Sequence, residues 1–391
     1  MNQNTQLQRI HAIDGFRALT MFLMLFVNDI PGIRDIPHWL HHAGWDEDML
    51  GFSDTVFPAF LFAVGLSIPF AIQKRREKGD SLLRICLHIA ERVIALLVMG
   101  LFMVNLDNFD SEACLMSRPC YSISMVVAIF LLWNAYPRTR TTYRKFLYMG
   151  LRMLGAGIFL FLFLIYRGQD GAPFGIHWWG ILGLIGWTYL VCTLIYLLVR
   201  NSLTGMSIAW LTVVALAVAI HAGVFYIPFV PSDMTLHALG VSGMLTSVLM
   251  QHLTTQEHPG RFLIVLCGLG ICMLVLFFVS YPFWIISKIQ ATPTWLFICT
   301  AIYFPLFGLF YWLMDVKGWR KPFWLIEPAG TATLTCYIVP YLWYSVQWML
   351  GWWYPEFLGV GAGGLIRSLL FALVIVQLVR LLSKVSIQLK I

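Results

Sequence analysis

Three histidines and four carboxylates are concentrated between two long apolar stretches, within residues 38–54. They are His38, His41, His42, Asp46, Glu47, Asp48 and Asp54. Neutral imidazole is the usual general base of enzymes, and a neighbouring carboxylate is the group that most often orients it. Ionisable side chains beside apolar spans are costly to bury and are candidate functional groups. The segment therefore predicts an acid–base site, although a solvated loop between two spans has a similar composition.

The spacing of histidine and cysteine gives little support for a metal site. His38 and His41 are three residues apart and could share a zinc ion. No third ligand follows at a fixed spacing, and the chain contains no Cys-x-x-Cys sequence. We therefore expect no metal. Cys114 and Cys120 lie close together and could pair in an oxidising compartment, which the sequence leaves open.

Polar side chains inside the apolar stretches are a second set of candidates. Asp14 and Arg17 are three residues apart and can pair on one helix face. Asn28 follows Arg17 by about three helical turns, which places it on the same face about 16 Å away. This face predicts a polar path along the helix, with a structural ion pair at the helix end as the alternative. Asp54 could cap the second helix or orient an imidazole, and one carboxylate can do both.

The composition places these residues in a polytopic membrane protein. Hydrophobic residues make up 59% of the 391-residue chain and charged residues 12%, whereas soluble domains carry about 25% charged residues. A helix of roughly 20 apolar residues crosses a bilayer. Twelve such stretches can be drawn, at residues 13–30, 53–73, 84–105, 121–136, 146–166, 177–199, 205–229, 236–251, 262–286, 293–315, 323–350 and 364–383.

These stretches predict an all-α polytopic membrane fold with about 12 transmembrane helices. Eleven is the alternative, because the fourth and eighth stretches are short. The connections are short and no soluble module is evident, so we expect a single transmembrane domain over residues 1–391.

The distribution of basic residues predicts the orientation. Seventeen Lys and Arg residues, among them Arg9, fall on the side of the chain termini, and four fall on the opposite side: Arg34, Arg118, Arg167 and Lys288. Cationic loops are retained in the cytoplasm. We therefore expect both termini to be cytoplasmic and the histidine segment to lie outside. The net charge of +7 then reflects membrane topology, and no nucleic-acid partner is expected.

Several short motifs follow one another along the chain. They are Asp14-Gly15-Phe16-Arg17, Phe26-Val27-Asn28, His42-Ala43-Gly44-Trp45, Asp54-Thr55-Val56-Phe57-Pro58, residues 288–295, Asp315-Val316-Lys317-Gly318 and Pro322-Phe323-Trp324. Their order and spacing resemble the heparan-α-glucosaminide N-acetyltransferase family of transmembrane acyltransferases. Residues 180–187 are similar to the bacterial branch of that group.

The resemblance implies an enzyme that takes acetyl from cytoplasmic acetyl-CoA and delivers it to an amino sugar, of the terminal glucosamine type, on the outer side. It assigns the active histidine to His42, with Asn28 and Asp54 as its partners. It also implies a bacterial inner membrane, with the catalytic loop in the periplasm. The interval between His42 and Asp54 is longer than expected for the family, so His41 competes for the role. Val339 and Pro340 stand where the lysosomal branch carries a histidine.

The chemistry suits these residues. Histidine, with a pKa near 6.5, can take the proton of the attacking amine. Asp54 would stabilise the imidazolium, and Asn28 could donate to the thioester carbonyl as charge develops on it. For the phosphates of acetyl-CoA, the cations near the cytoplasmic side are Arg17, Arg84, Arg92 and Arg152. The predicted acceptor-binding residues are Trp45, Lys288 and Trp295.

Two other functions are open at this point. A glycan O-acetyltransferase would use the same mechanism on a hydroxyl group. A transporter or flippase would also have twelve spans and polar residues inside them, but the sequence shows no two symmetric halves. The sequence leaves open whether an acetyl-histidine forms and whether the protein is a homodimer.

Overall fold

In a computed structural model of the chain, residues 10–227, 231–254 and 260–391 are described. Arg9, one of the basic residues of the predicted inner side, lies outside these ranges. The regular secondary structure of the described residues is helical, and these residues contain no regular strand. Three isolated β-bridges join loops, at Arg34 with Val360, Phe109 with Gly168 and Asn134 with Leu389.

Thirteen α-helices form within the described residues. They are α1 His11–Asp29, α2 Phe52–Glu77, α3 Leu82–Asn105, α4 Arg118–Trp133, α5 Thr142–Ile165, α6 Ile181–Val199, α7 Leu203–His221, α8 Thr235–Leu253, α9 Arg261–Ser280, α10 Pro293–Tyr311, α11 Glu327–Thr331, α12 Thr333–Met349 and α13 Gly361–Lys384. A π-helical turn, Trp312–Val316, extends α10. Eight helices of the described part are long and apolar enough to cross a membrane: α2, α3, α5, α6, α7, α9, α10 with its extension, and α13.

The all-helical membrane class predicted from the sequence is therefore confirmed. Each of the twelve predicted stretches overlaps one long helix, α1 to α10, α12 or α13, although residues 228–229 of the seventh stretch lie outside the described residues. α1, α4, α8 and α12 are shorter or less apolar than the other eight. The number of spans stays a prediction. The eleventh stretch is interrupted at Ala332, between α11 and α12. Pro328 is the second residue of α11 and lies in its first turn, where a missing amide costs nothing.

α2 and α8 pack against each other at the centre of the bundle. Every residue of α8 from Thr235 to Met250 is buried. The two backbones meet at glycines: a Cβ on Gly65 would lie 1.9 Å from the Gly240 carbonyl oxygen, and one on Gly243 would lie 2.0 Å from that of Phe62. Small residues allow this close approach, as in other membrane bundles. α5 and α9 lie outside this centre and expose apolar side chains, as lipid-facing helices do.

Two sets of polar contacts, one at each end of α1, mark the two ends of the bundle. At one end, Asp315 accepts hydrogen bonds from the amides of His11 and Ala12, at 2.9 and 2.7 Å. At the other end, Asp29 pairs with Arg367 at 3.1 Å. The 19 residues of α1 separate these ends by about 28 Å. The loop that carries His42 lies between α1 and α2 at the second end, which is called the outer end below; its membrane side stays a prediction.

Candidate active site

His42 and Asp54 form a pair at the outer end. The Nδ1 atom of His42 lies 2.7 Å from Oδ1 of Asp54, and Oδ2 of Asp54 accepts a hydrogen bond from the Ala43 amide at 2.8 Å. The aspartate is only 1% exposed, whereas the His42 side chain is 38% exposed. The carboxylate thus contacts the Nδ1 edge of the imidazole, and the side chain as a whole stays partly open to solvent.

Asp54 does not cap α2. The helix begins at Phe52, Gly51 is its N-cap residue, and no side chain caps it. The N-cap position predicted for Asp54 is therefore wrong. The carboxylate instead contacts the His42 imidazole, and its role in orienting that ring stays a prediction. The carboxylate has turned from its own helix towards the preceding loop, where two donors meet it.

The loop returns to α2 through a close backbone contact. A Cβ on Gly51 would lie 2.1 Å from the carbonyl oxygen of His41 and 2.9 Å from Oδ2 of Asp54. The Ser53 hydroxyl donates to the Leu40 carbonyl at 2.6 Å. These contacts bring His42 to Asp54. Only glycine, which has no Cβ atom, allows the loop and the start of α2 to approach so closely.

The other two histidines do not contact Asp54. His38 pairs with Glu47, whose second oxygen accepts from the Gly44 amide at 2.9 Å. The Gly44 amide and, secondarily, His38 hold the pKa of Glu47 below its usual value. The His41 ring lies beside that of His38, at 6.4 Å between centroids. Among the three candidates, His42 alone is joined to a buried carboxylate.

Lys288 reaches this pair from the loop between α9 and α10. Its Nζ atom lies 3.1 Å from Nδ1 of His42 and 3.5 Å from Oδ1 of Asp54. Burial lowers the pKa of Lys288, whereas the Asp54 carboxylate raises it. The residue predicted to bind the acceptor therefore lies behind the imidazole, on its aspartate side.

Three further contacts dock the 281–292 loop onto the histidine loop. Asp48 accepts from the Tyr281 hydroxyl and from the Ile286 amide, both at 2.8 Å. The Gln290 side chain donates to the Trp45 carbonyl at 2.7 Å. Neither Asp48, Tyr281 nor Gln290 has a predicted role of its own from the sequence. The position of Asp48 in the acidic run before α2 was the available signal.

The two predicted tryptophans have different surroundings. Trp295 is fully buried in α10, and its Nε1 atom donates to the backbone carbonyl of Asp54 at 3.3 Å. It therefore contacts the first turn of α2. Trp45 is 60% exposed beside His42. Only Trp45 presents a ring to a molecule arriving from solvent.

Asn28 lies in the last turn of α1 and is exposed at the same end as His42. The described contacts do not join it to His42 or Asp54. Its neighbour Asp29 accepts from Tyr344 at 2.7 Å and pairs with Arg367. Arg367 is thus part of an internal ion pair.

A cavity of about 450 Å³ opens at the opposite end of the bundle. Its polar lining consists chiefly of Asp14, Arg17, Lys74, Arg92, Tyr189 and Thr333. Arg17 donates to the Thr333 hydroxyl at 3.4 Å, and the Arg92 guanidinium lies over the Tyr189 ring at 4.7 Å. Nε of Arg92 is buried without a hydrogen-bond partner in the described residues.

The cavity follows the predicted polar face of α1. It extends along this helix from Ile10 to Met24, about 21 Å by helical rise. Met24 precedes Asn28 by one turn, about 6 Å. A long ligand entering beside Arg17 would therefore point towards the outer end.

The other two predicted arginines do not line this cavity. Arg84 pairs with Asp80 at 3.2 Å, and the Arg152 guanidinium lies over the Tyr136 ring at 5.5 Å. In the described ranges no group of three metal-ligating side chains is close enough to hold an ion. Cys114 and Cys120 are free thiols.

The described residues thus form a helical membrane bundle with a His–Asp pair at one end and a cationic cavity at the other. Residues 9–225 match a family described as a domain of unknown function, DUF5009, and the chain belongs to this family. It is also similar to heparan-alpha-glucosaminide N-acetyltransferase of Homo sapiens, with 35% identity over 98 residues. The protein of that name from Mus musculus is 34% identical over 98 residues.

Each of these matches covers 25% of this chain and 14% of the relative. The chain therefore aligns with a small part of the curated relatives. The resemblance to heparan-α-glucosaminide N-acetyltransferases that the motifs predicted is confirmed as a distant similarity.

Proposed function

We propose that the protein is a transmembrane acetyltransferase, which moves acetyl from acetyl-CoA at the cavity end to an amino sugar at the outer end. The observation that carries the proposal is the placement of the oriented His42–Asp54 pair opposite a cavity lined by Arg17 and Arg92. The distant similarity to N-acetyltransferases supports it.

His42 serves as the general base. The ionised Asp54 can only accept, so the 2.7 Å contact assigns the Nδ1 proton to a hydrogen bond with the carboxylate. The lone pair on Nε2 then takes a proton from the acceptor amine. The amine nitrogen forms its bond to the thioester carbonyl carbon, the carbon–sulfur bond breaks, and the departing thiolate receives the proton from His42.

Acetyl-CoA enters from the cavity end. Its phosphates bind Arg17 and Arg92, with Lys74 at the same end, through charge-assisted hydrogen bonds. The pantetheine arm lies along the apolar side of α1 between Arg17 and Met24. The thioester is then directed towards Asn28 and His42, where Asn28 can donate to the carbonyl oxygen.

The amino sugar binds at the outer end beside Trp45. Its exposed indole offers a flat apolar surface to the C–H face of a sugar ring. The carboxylates of the histidine loop attract the amine in its cationic form. The ammonium loses one proton to solvent, and His42 takes the second as the neutral amine attacks the thioester. Reaction with hydroxyl-bearing glycans would give the O-acetyl alternative by the same steps.

The test uses purified protein in vesicles with radiolabelled acetyl-CoA and a panel of amino sugars and hydroxyl-only glycans. We expect a labelled N-acetyl sugar, and a loss of about 10²- to 10⁴-fold in rate for His42→Ala, the range typical of a general base. His41→Ala is the matched control and should retain activity. An inactive His41→Ala with an active His42→Ala would reassign the base. Transport of the sugar without any acetylated product would contradict the proposed acetyl transfer.

A further inference from the structure

Two opposite charges lie on the same side of the His42 ring. Asp54 approaches Nδ1 at 2.7 Å and the Lys288 ammonium approaches the same nitrogen at 3.1 Å. Because the Nδ1 proton is donated to Asp54, Lys288 cannot donate to this nitrogen as well. Its ammonium faces Asp54 and stands close to the ring as a positive charge.

The two charges have opposite effects on the imidazole. A carboxylate beside a histidine favours the imidazolium, so Asp54 alone would keep the base protonated at higher pH. A cation at this distance disfavours the imidazolium. Solvent screens this repulsion only in part, because the Lys288 side chain is 25% exposed and the His42 side chain 38% exposed.

The fold holds Lys288 in this place. The loop that carries it is docked by Asp48 and Gln290, and the Gln290 carbonyl is close to Nε2 of His221 at 3.0 Å. The Lys288 side chain is 25% exposed. The side chain is thus held mostly out of solvent, whereas a long flexible lysine on a surface usually extends into it.

Other ionisable groups around His42 do not offset this arrangement. Asp54 faces it from α2 and Lys288 from the 281–292 loop. From α10, Cys299 is buried and interacts with both of these residues, but it is an uncharged thiol. In the histidine loop itself, His38 and Glu47 pair with each other.

We propose that Lys288 is a positioning residue that keeps the His42 imidazole neutral and so sets the lower pH limit at which this base works. The role of the base rests on the proposed function, whereas the charge effect can be measured without turnover. Loss of the lysine charge should make His42 easier to protonate, so that a higher pH is needed to free the base.

The test measures how fast diethyl pyrocarbonate modifies His42 as a function of pH, since this reagent reacts with neutral imidazole. Tandem mass spectrometry assigns the modification to His42 rather than His41. We expect Lys288→Met to raise the midpoint by about one pH unit, and Lys288→Arg to leave it near the original value because the charge is kept. Lys317→Met, at the other end of the bundle, is the control and should not move it.

The acidic limb of the acetyl-transfer rate should move with this midpoint. Where Lys288→Met does not fold, Lys288→Gln removes the same charge with a polar side chain. An unmoved midpoint in a folded, charge-free variant overturns the inference, as does a shift of equal size in Lys288→Arg. If the midpoint shifts but the parent protein transfers no acetyl, the inference is supported and the proposed function is contradicted. If the parent protein transfers acetyl but the midpoint does not shift, the proposed function is supported and the inference is contradicted.

Discussion

Asp54 accepts hydrogen bonds from the His42 ring and from the Ala43 amide, and it also pairs with Lys288. Replacing Asp54 by Asn removes the charge and turns one of the two acceptor atoms into a donor. The ring then loses its fixed tautomer, or the Ala43 amide loses its partner.

For Asp54→Asn we expect acetyl transfer to fall about a thousand-fold at saturating acetyl-CoA, because a general base needs its lone pair directed at the substrate. Steady-state kcat is the measurement, with thermal unfolding as the check on folding. The matched variant is Glu47→Gln, which changes the exposed His38 pair and should alter kcat far less. A kcat for Asp54→Asn close to that of the parent protein would show that Asp54 does not take part in catalysis.

At the scale of elements, the site depends on how the histidine loop joins α2. Gly51 is the point of closest approach, since a Cβ there would lie 2.1 Å from the His41 carbonyl oxygen. A contact of that length with backbone cannot be relieved by rotating a side chain. The histidine loop must shift as a whole, and a shift of 1 Å in a catalytic group is enough to cost about 100-fold in rate.

Gly51→Ala should therefore reduce acetyl transfer by about 100-fold. The affinity for acetyl-CoA should stay unchanged, because the cavity lies at the other end of the bundle. Gly32→Ala, in the same loop, is the control: a Cβ there meets nothing within 4 Å. Equal kcat values for the two variants would show that the contact at Gly51 does not position His42.

At the scale of the whole molecule, the two ends must serve one reaction. Arg17 and Arg92 line the cavity, whereas Arg84 and Arg152 have partners outside it. A charge-assisted hydrogen bond contributes about 1.5–3 kcal/mol. This corresponds to a loss of roughly 10- to 100-fold in affinity for each phosphate contact.

Arg17→Met or Arg92→Met should raise the KM for acetyl-CoA within that range and leave the KM for the acceptor nearly unchanged. Arg84→Met and Arg152→Met are the controls, and both KM values should stay as they are. Initial rates with each substrate varied in turn make the distinction. If Arg84→Met or Arg152→Met raises the KM for acetyl-CoA and the cavity variants do not, the donor binds elsewhere.

The membrane orientation is a second test at this scale. In a variant with its native cysteines replaced by Ala, Gly32→Cys should react with a membrane-impermeant maleimide added to intact cells. Glu77→Cys, at the other end of α2, should react only after permeabilisation, because the basic loops are retained inside. Labelling of Glu77→Cys alone would invert the topology and place the acceptor in the cytoplasm.

Hydropathy by itself determined the class and the positions of the helices. The predicted stretches 53–73 and 364–383 became α2 and α13 with ends displaced by only a few residues. This agreement has a physical reason: the cost of placing a residue in lipid depends on that residue and its neighbours, so it can be summed along the chain. The residue types likewise marked the 38–54 segment as chemically active before its geometry was known.

Only the tertiary structure decided which of those residues meet. It joined His42, rather than His38 or His41, to Asp54 through the contact at Gly51, and it brought Lys288 to His42 across 246 positions of sequence. It also separated Arg17 and Arg92 from the other two arginines. Such contacts depend on the packing of helices far apart in the chain, and neither composition nor local periodicity contains that information.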